Sequence, residues 1–91
     1  MEKLSDYSIL TGYSNRQVIL NEYLDEDYLE ERHGFHFQTV AVTDSILAFS
    51  RKGKSDFYIP IEKSAHFYVN DDFQNYYILR NGSKRLEIYF P

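Results

Sequence analysis

The spacing of apolar residues along the chain changes at Gly34. Before it, apolar side chains recur at spacings of three, one and four, as in Leu20, Tyr23, Leu24 and Tyr28, and this spacing is typical of a helix. Ser14 can cap the start of such a helix, and Gly34 can end it. We therefore predict a helical segment over about residues 15–33. Because its apolar arc is broad, residues 16–20 also fit a strand, with only residues 25–33 helical.

After Gly34, apolar and polar residues alternate with a period of two, which is the spacing of β-strands. Asn81-Gly82 predicts a type I′ hairpin turn, since both residues tolerate positive φ. Short connections make neighbouring strands antiparallel. We predict an α+β fold that is mainly antiparallel β, in which the helical segment precedes a five- to six-stranded meander forming a curved sheet or partial barrel. The strands are predicted at residues 35–43, 45–51, 56–63, 65–70, 75–80 and 84–90.

The alternation also assigns the two faces of the predicted sheet. Its core side is expected to carry Val40, Val42, Leu47, Phe49, Phe57, Ile59, Ile61, Phe67, Val69, Leu86, Ile88 and Phe90. The opposite side then carries Tyr58, Tyr68 and Tyr89, together with Glu62 and Glu87. Tyrosines there could stabilise the sheet as cross-strand pairs, pack under a helix, or form an interaction surface. These alternatives stay open at the level of sequence.

Composition limits the class of protein. The chain has 91 residues, of which 43% are hydrophobic and none is cysteine, so we expect one globular domain, residues 1–91, without disulfides or thiolate zinc sites. Its first residues lack the apolar stretch of a signal peptide, and its apolar runs are too short for a membrane helix. A cytoplasmic protein that does not insert into membranes is therefore expected.

Charge is distributed unevenly along the sequence. The formal net charge is -4, which disfavours direct binding to nucleic acid. The acidic excess lies within residues 21–33, where the only base among Lys and Arg is Arg32. The six acids of this segment are Glu22, Asp25, Glu26, Asp27, Glu30 and Glu31. The basic residues gather at two predicted hairpins, one with Arg51, Lys52 and Lys54 and one with Arg80, Lys84 and Arg85. The domain is thus expected to be dipolar, with an acidic segment that is either a solvated face or a docking surface.

One stretch of the chain resembles a known family. Residues 40–54 (VAVTDSILAFSRKGK) followed by residues 58–62 (YIPIE) resemble the GRAM and bacterial PH-like pattern, in which a strand ends in Thr-Asp, an apolar strand ends at a basic glycine-containing hairpin, and Ile-Pro-Leu/Ile-Glu follows. The resemblance implies a curved PH-like sheet used as a binding scaffold without catalysis. PH-like folds close their sheet with a C-terminal helix, whereas this chain has a predicted strand at residues 84–90, so the N-terminal helix would have to take that place.

Candidate catalytic and metal-binding residues are sparse. His33 and His36 are three residues apart, but no cysteine or suitably spaced carboxylate completes a zinc site around them. The residue types of a hydrolytic triad occur as Ser64, His66 and Asp71 or Asp72. No nucleophile elbow accompanies them, and the glycines are too dispersed for a phosphate loop. We therefore predict a protein that is not an enzyme and uses no cofactor or metal.

These observations favour a small protein-binding module that acts as a regulator, inhibitor or adaptor. Its predicted surface combines the acidic segment, residues 22–31, with the tyrosines at positions 58, 68 and 89. In its most specific form, the hypothesis is a phage or mobile-element inhibitor of a nucleic-acid enzyme. Its acidic side chains would imitate the spacing of phosphates and occupy the groove in which the enzyme binds nucleic acid. One alternative is a structural protein whose terminal strand, residues 84–90, pairs with a second copy. Another is a PH-like binder of anionic ligands that uses the two basic hairpins.

Overall fold

The computed structural model describes residues 2–25 and 28–91, which form an eight-stranded antiparallel sheet. A six-residue 3₁₀ helix, Tyr7–Gly12, lies between the first two strands in the sequence. The strands are β1 (Glu2–Leu4), β2 (Ser14–Leu24), β3 (Tyr28–Val42), β4 (Ile46–Arg51), β5 (Lys54–Pro60), β6 (His66–Val69), β7 (Tyr76–Asn81) and β8 (Lys84–Tyr89). All six strands predicted after Gly34 are confirmed.

The sheet is an open, strongly curved one with the strand order β1-β6-β7-β8-β2-β3-β4-β5. It consists of two meanders, β2 to β5 and β6 to β8, that are joined where β8 pairs with β2. The 15-residue β3 pairs with β2 along its first part and with β4 at its end, and its buried side changes between Phe37 and Val40. This change of facing bends the strand, so that β4 curls over the core: the ring of Phe49 on β4 lies 6.5 Å from that of Phe90, just after β8.

The concave side of the curved sheet holds one core. The predicted core residues are confirmed: nine are buried, and Val42, Phe57 and Val69 are partly buried against them. Tyr13 stacks on Phe90 with ring centroids 3.9 Å apart. Its hydroxyl reaches the hydroxyl of Tyr77 at 2.8 Å, so aromatic packing and a buried polar contact tie the start of β2 to β7. The nine buried members are Val40, Leu47, Phe49, Ile59, Ile61, Phe67, Leu86, Ile88 and Phe90.

The predicted helix over residues 15–33 is wrong, because its described residues form a long hairpin of β2 and β3. Residues 16–20 follow the strand alternative, and residues 25–33, where described, are a turn and a strand. Val18 and Leu20 face the core, while Ile19 packs on the outer side beside Tyr89. Apolar residues on both faces of one strand produce the broad arc that resembled a helix. Gly34 does not end a helix but pairs with Ile19 in mid-strand.

The absence of that helix bears on the expected architecture. The PH-like fold is not confirmed, since in residues 2–25 and 28–91 no long helix packs over the sheet. The short 3₁₀ helix contributes one buried side chain, Leu10, to the core. Within the same residues, no helix is long and apolar enough to span a membrane.

Two details of the last hairpin differ from expectation. The turn between β7 and β8 is formed by Gly82 and Ser83, and of these two only Gly82 has positive φ (66°). This is the pattern of a type II′ turn, with Asn81 displaced into the strand, rather than type I′. In addition, β8 is an inner strand paired with both β7 and β2. Residues 84–90 therefore cannot act as the free edge proposed for pairing with a second copy.

Candidate binding cleft

A cleft of about 340 Å³ opens on the concave side, between β5 and the strands β8, β2 and β3. On the far walls it is lined by alternate residues, Leu20 and Glu22 from β2 and Glu31 and His33 from β3. From β5 it is lined by four consecutive residues, Phe57, Tyr58, Ile59 and Pro60. Successive side chains of a strand point to opposite faces, so a cleft lined by four consecutive residues of β5 runs along the edge of that strand.

The hydrogen bonds around β5 identify which main-chain groups face the cleft. Ile61 N–H donates to Ser45 O, on the β4 side, at 2.8 Å. Pro60 O and Glu62 N lie on the other side. Main-chain groups alternate between the two sides of an antiparallel strand, so Tyr58 directs its N–H and C=O away from β4. No strand of the described chain pairs with this side of β5.

The side chain of Asn81 closes one end of this free edge. Its Nδ2 donates to Pro60 O at 2.7 Å, and its Oδ1 accepts from Glu62 N at 2.8 Å. The amide thus takes the place of a peptide group in a neighbouring strand. Gly82, the residue after Asn81, lies close to the carboxylate of Glu62. A Cβ at position 82 would be 2.8 Å from Glu62 Oε2. The β7–β8 turn and the end of β5 are therefore locked together.

The cleft has an apolar floor and an acidic rim. Three carboxylates line it, those of Glu22, Glu31 and Glu62, against one ammonium, that of Lys84. Lys84 Nζ lies 3.2 Å from Glu22 Oε1, and this hydrogen bond is the main cause that raises the pKa of Lys84. His33 Nε2 lies 3.0 Å from Glu31 Oε2. The floor consists of Leu20, Phe57, Ile59, Pro60 and Leu86.

A β-bulge in β3 concentrates acids on this rim. The register shifts between the pairs Glu22↔Glu31 and Tyr23↔Leu29, which leaves Glu30 as an extra residue. Such a bulge re-aims side chains locally. As a result Glu30 Oε2 also approaches Lys84 Nζ, at 3.8 Å. One lysine is thus shared by two carboxylates of adjacent strands.

The tip of the β2–β3 hairpin carries the rest of the predicted acidic segment. Asp25 occupies the turn with φ of 56°, and its N–H donates to Ser83 O, so the two hairpin tips meet. Glu26 and Asp27 lie outside the described residues. Three large apolar side chains are exposed beside these acids: Leu24, Tyr28 and Leu29, of which Tyr28 is 66% exposed. The described part of the acidic segment therefore lies at the end of a hairpin and exposes apolar side chains as well as acids.

The three predicted surface tyrosines do not lie together. Tyr58 is 61% exposed on β5, and three strands separate β5 from β8, which carries Tyr89. Tyr89 and Tyr68 are half-buried on the convex side. There Tyr89 packs against Tyr76 with ring centroids 5.7 Å apart. Burial, followed by a hydrogen bond to Glu87, raises the pKa of Tyr76. On this side the tyrosines pack across strands, whereas Tyr58 stands at the cleft.

The two basic hairpins lie at opposite ends of β5. Asn81, on the β7–β8 hairpin, contacts Pro60, while the other hairpin begins β5 at Lys54, and seven residues of strand span roughly 20 Å. Arg51 packs over Phe35 at 5.1 Å and donates to Ser55 O, and Lys52 and Lys54 are exposed beside it. In the β7–β8 hairpin, Lys84 and Arg85 pair with acids, and Arg80 also has a partner. One anionic site using all six cations would have to bridge this separation.

The residues considered for metal binding or catalysis are also separated. His33 lines the cleft, whereas His36 lies on the other face of β3. Ser64 precedes β6, while Asp71 and Asp72 follow it at the opposite end. Within the described residues, no group of three or more metal-ligating side chains is present.

Sequence patterns do not reveal the cleft, and in particular they do not show that Asn81 and Tyr58 are neighbours on one strand edge. Pro60 was the available signal, because proline within a strand run marks an edge strand. The opposite walls of the cleft come from strands far away in sequence, which no local pattern reveals.

Comparisons with protein families, curated proteins and solved structures find no match to this chain.

Proposed function

We propose that this protein is a small, non-enzymatic protein-binding module that docks through its acidic end. We define the acidic end as the described tip of the β2–β3 hairpin, residues 24–25 and 28–31, together with Glu22 and Glu62 at the rim of the cleft. What carries the proposal is the exposed apolar pair of Leu24 and Tyr28, which share one face of the tip next to the exposed acids at positions 25, 30 and 31. An apolar centre with a polar rim is the usual anatomy of a protein interface.

The positions of two of these side chains support a shared contact area. Leu24 pairs with Tyr28 across the hairpin, so both lie on one face, whereas Leu29 pairs with Tyr23 in the next row and lies on the opposite face. Tyrosine offers a large, rigid contact surface at a small cost in side-chain entropy, which is why it is enriched in binding hot spots. Exposed apolar groups that adjoin one another in this way are more informative than single ones scattered over a surface.

Charge defines the class of partner. Around the tip, Asp25, Glu30 and Glu31 are exposed, while Lys84 is already paired with Glu22 and Glu30. An excess of negative potential steers basic surfaces to this end and raises the rate of association. The partner is therefore a protein with a basic surface that contains an apolar recess for Tyr28.

Site-specific photocrosslinking tests this proposal. A benzophenone side chain in place of Tyr28 is compared with one in place of Ile9, which is 48% exposed and lies in the 3₁₀ helix before the other end of β2. In an extract of the native host we expect an adduct at position 28 with a basic surface segment, mapped by mass spectrometry. It should disappear in about 0.5 M salt, where the Debye length is only a few ångström, and in the Glu30→Gln, Glu31→Gln variant.

Three results would contradict the proposal. They are equal crosslinking at positions 28 and 9, an adduct at position 28 that is insensitive to salt and to the two substitutions, and no adduct at position 28. The Ile9 control has comparable exposure, so it separates specific docking from the general stickiness of an exposed probe.

A further inference from the structure

We infer that the cleft binds an extended basic peptide segment, which adds as a strand to the free edge of β5 and places a lysine or arginine side chain between Glu31 and Glu62. This inference rests on the proposed function and names the chemistry of the partner segment. Strand addition combines main-chain hydrogen bonds, which supply affinity, with pockets for alternate side chains, which supply specificity. The β5 edge and the cleft provide these two elements side by side.

The edge supplies main-chain groups over a short length. Tyr58 directs its N–H and C=O toward the cleft. Before Phe57 the register of β5 against β4 shifts, so this alternation does not extend to Asp56. Pro60 ends the run, because it has no N–H and its carbonyl is taken by Asn81. An incoming segment can therefore form a pair of main-chain hydrogen bonds with Tyr58, which engages about three extended residues. This length makes the site selective for a short linear segment rather than for a whole sheet.

The walls of the cleft match a long basic side chain. In a paired segment, alternate side chains point to one side, so one of them enters the cleft over Ile59 and Leu86. Lysine and arginine lay an aliphatic stem on apolar surface and keep the charged end in a polar environment. At the rim, Glu22 pairs with the Lys84 ammonium and Glu31 contacts the His33 imidazole at 3.0 Å, and an incoming cation would join the carboxylates of Glu31 and Glu62.

A defined peptide tests the inference with the full-length protein. The probe is fluorescein-labelled Val-Arg-Val-Arg-Val with blocked ends, and binding is followed by anisotropy at low salt. We expect saturable binding that weakens at least tenfold when alternate amides of the peptide are N-methylated, since this keeps the charge but removes strand pairing. A peptide with glutamate in place of arginine should not bind.

Paired variants locate the binding site. Tyr58→Pro removes the free N–H and should weaken binding about tenfold, whereas Tyr58→Val keeps the N–H and serves as its control. Glu31→Gln and Glu62→Gln should each weaken binding severalfold. Glu2→Gln, an exposed acid on β1 far along the sheet order from β5, should leave binding unchanged. Circular dichroism checks that each variant is folded.

Several outcomes would overturn the inference. Equal binding of the N-methylated peptide would mean that only net charge is recognised, a result that does not depend on whether Tyr58→Pro folds. Equal losses for Glu2→Gln and Glu62→Gln would place binding elsewhere. Sedimentation that shows dimers abolished by Tyr58→Pro, with no peptide binding, would assign the edge to a second copy. If the peptide fails to bind but the Tyr28 crosslink persists, this inference is wrong and the proposed function stands.

Discussion

Single side chains connect parts of this sheet that strand pairing does not join. Asn81 substitutes for a peptide group at the end of β5, and Tyr13 joins Tyr77 through their hydroxyls in the core. Both contacts connect residues that are distant in sequence and that no ladder joins. Their loss should therefore affect the stability of the whole domain as well as local order.

Gly82 is the residue whose replacement we expect to be costly in the turn. Its φ of 66° is unfavourable for other residues, and a Cβ would press on Glu62. Gly82→Ala should lower the free energy of unfolding by about 1–3 kcal/mol. Gly34→Ala is the matched control, because its φ is not positive and nothing lies within 4 Å of a Cβ there; it should be neutral or stabilise by up to about 1 kcal/mol. Urea denaturation measures both, and equal effects would contradict this explanation.

Two tyrosines should make the protein sensitive to alkaline pH. Burial is the main cause that raises the pKa of Tyr76 and of Tyr77 above 10.0 in the folded state. Above about pH 10 the unfolded chain therefore loses these protons while the folded chain keeps them. The contribution of these groups to the free energy of unfolding is therefore complete below pH 10. Above pH 10, the contribution of Tyr77 falls by up to about 1.4 kcal/mol per pH unit.

Urea midpoints between pH 8 and pH 11 test this effect. The Tyr77→Phe variant removes one titrating group and should show a shallower decline above pH 10, although it also loses the contact with Tyr13. A wild-type midpoint that stays constant to pH 11 would show that these hydroxyls are not protected by folding.

Among the elements, the 3₁₀ helix contributes more than its length suggests. Leu10 is 0% exposed, so the helix closes part of the core with one side chain. Leu10→Ala should lower the free energy of unfolding by about 2–5 kcal/mol. Ile9→Ala, at the neighbouring exposed position, should change it by less than about 0.5 kcal/mol. Similar losses for the two variants would mean that the helix is not anchored through Leu10.

Most strands after Gly34 could be predicted from sequence because one face is buried and the other is polar, although in β7 Tyr77, Ile78 and Leu79 are all buried. Phe57, Ile59 and Ile61 show this alternation directly. β2 could not be assigned in the same way, since Ile19 and Tyr23 pack on the convex side while Val18 and Leu20 face the core. The cleft could not be predicted either, because Asn81 reaches Pro60 only through the curvature of the sheet.

At the scale of the whole molecule, Phe90 connects both halves of the curved sheet. Its ring contacts Phe37, Phe49, Tyr13 and Tyr77, which come from β3, β4, the segment before β2, and β7. Phe90→Ala should cost about 3–5 kcal/mol, a large part of the roughly 5–15 kcal/mol that stabilises a small domain.

Tyrosine fluorescence and far-UV circular dichroism should report the same lowered midpoint for Phe90→Ala, because both halves share this contact. Phe73→Ala, at a 63% exposed ring, is the matched control and should have little effect. Separate transitions by the two methods would show that the halves unfold independently.

The pairing of β2 with β8 has a consequence for how the chain reaches this structure. Within each meander, neighbouring strands are also neighbours in sequence, so their hairpins close quickly. The ladder from Ile19↔Tyr89 to Leu24↔Lys84 instead joins residues near opposite ends of the chain, and closing a long loop costs entropy before contacts compensate for it. We therefore expect this closure to limit the folding rate. Destabilising substitutions in the β2–β8 ladder should slow refolding, whereas those at the β5 edge should mainly accelerate unfolding.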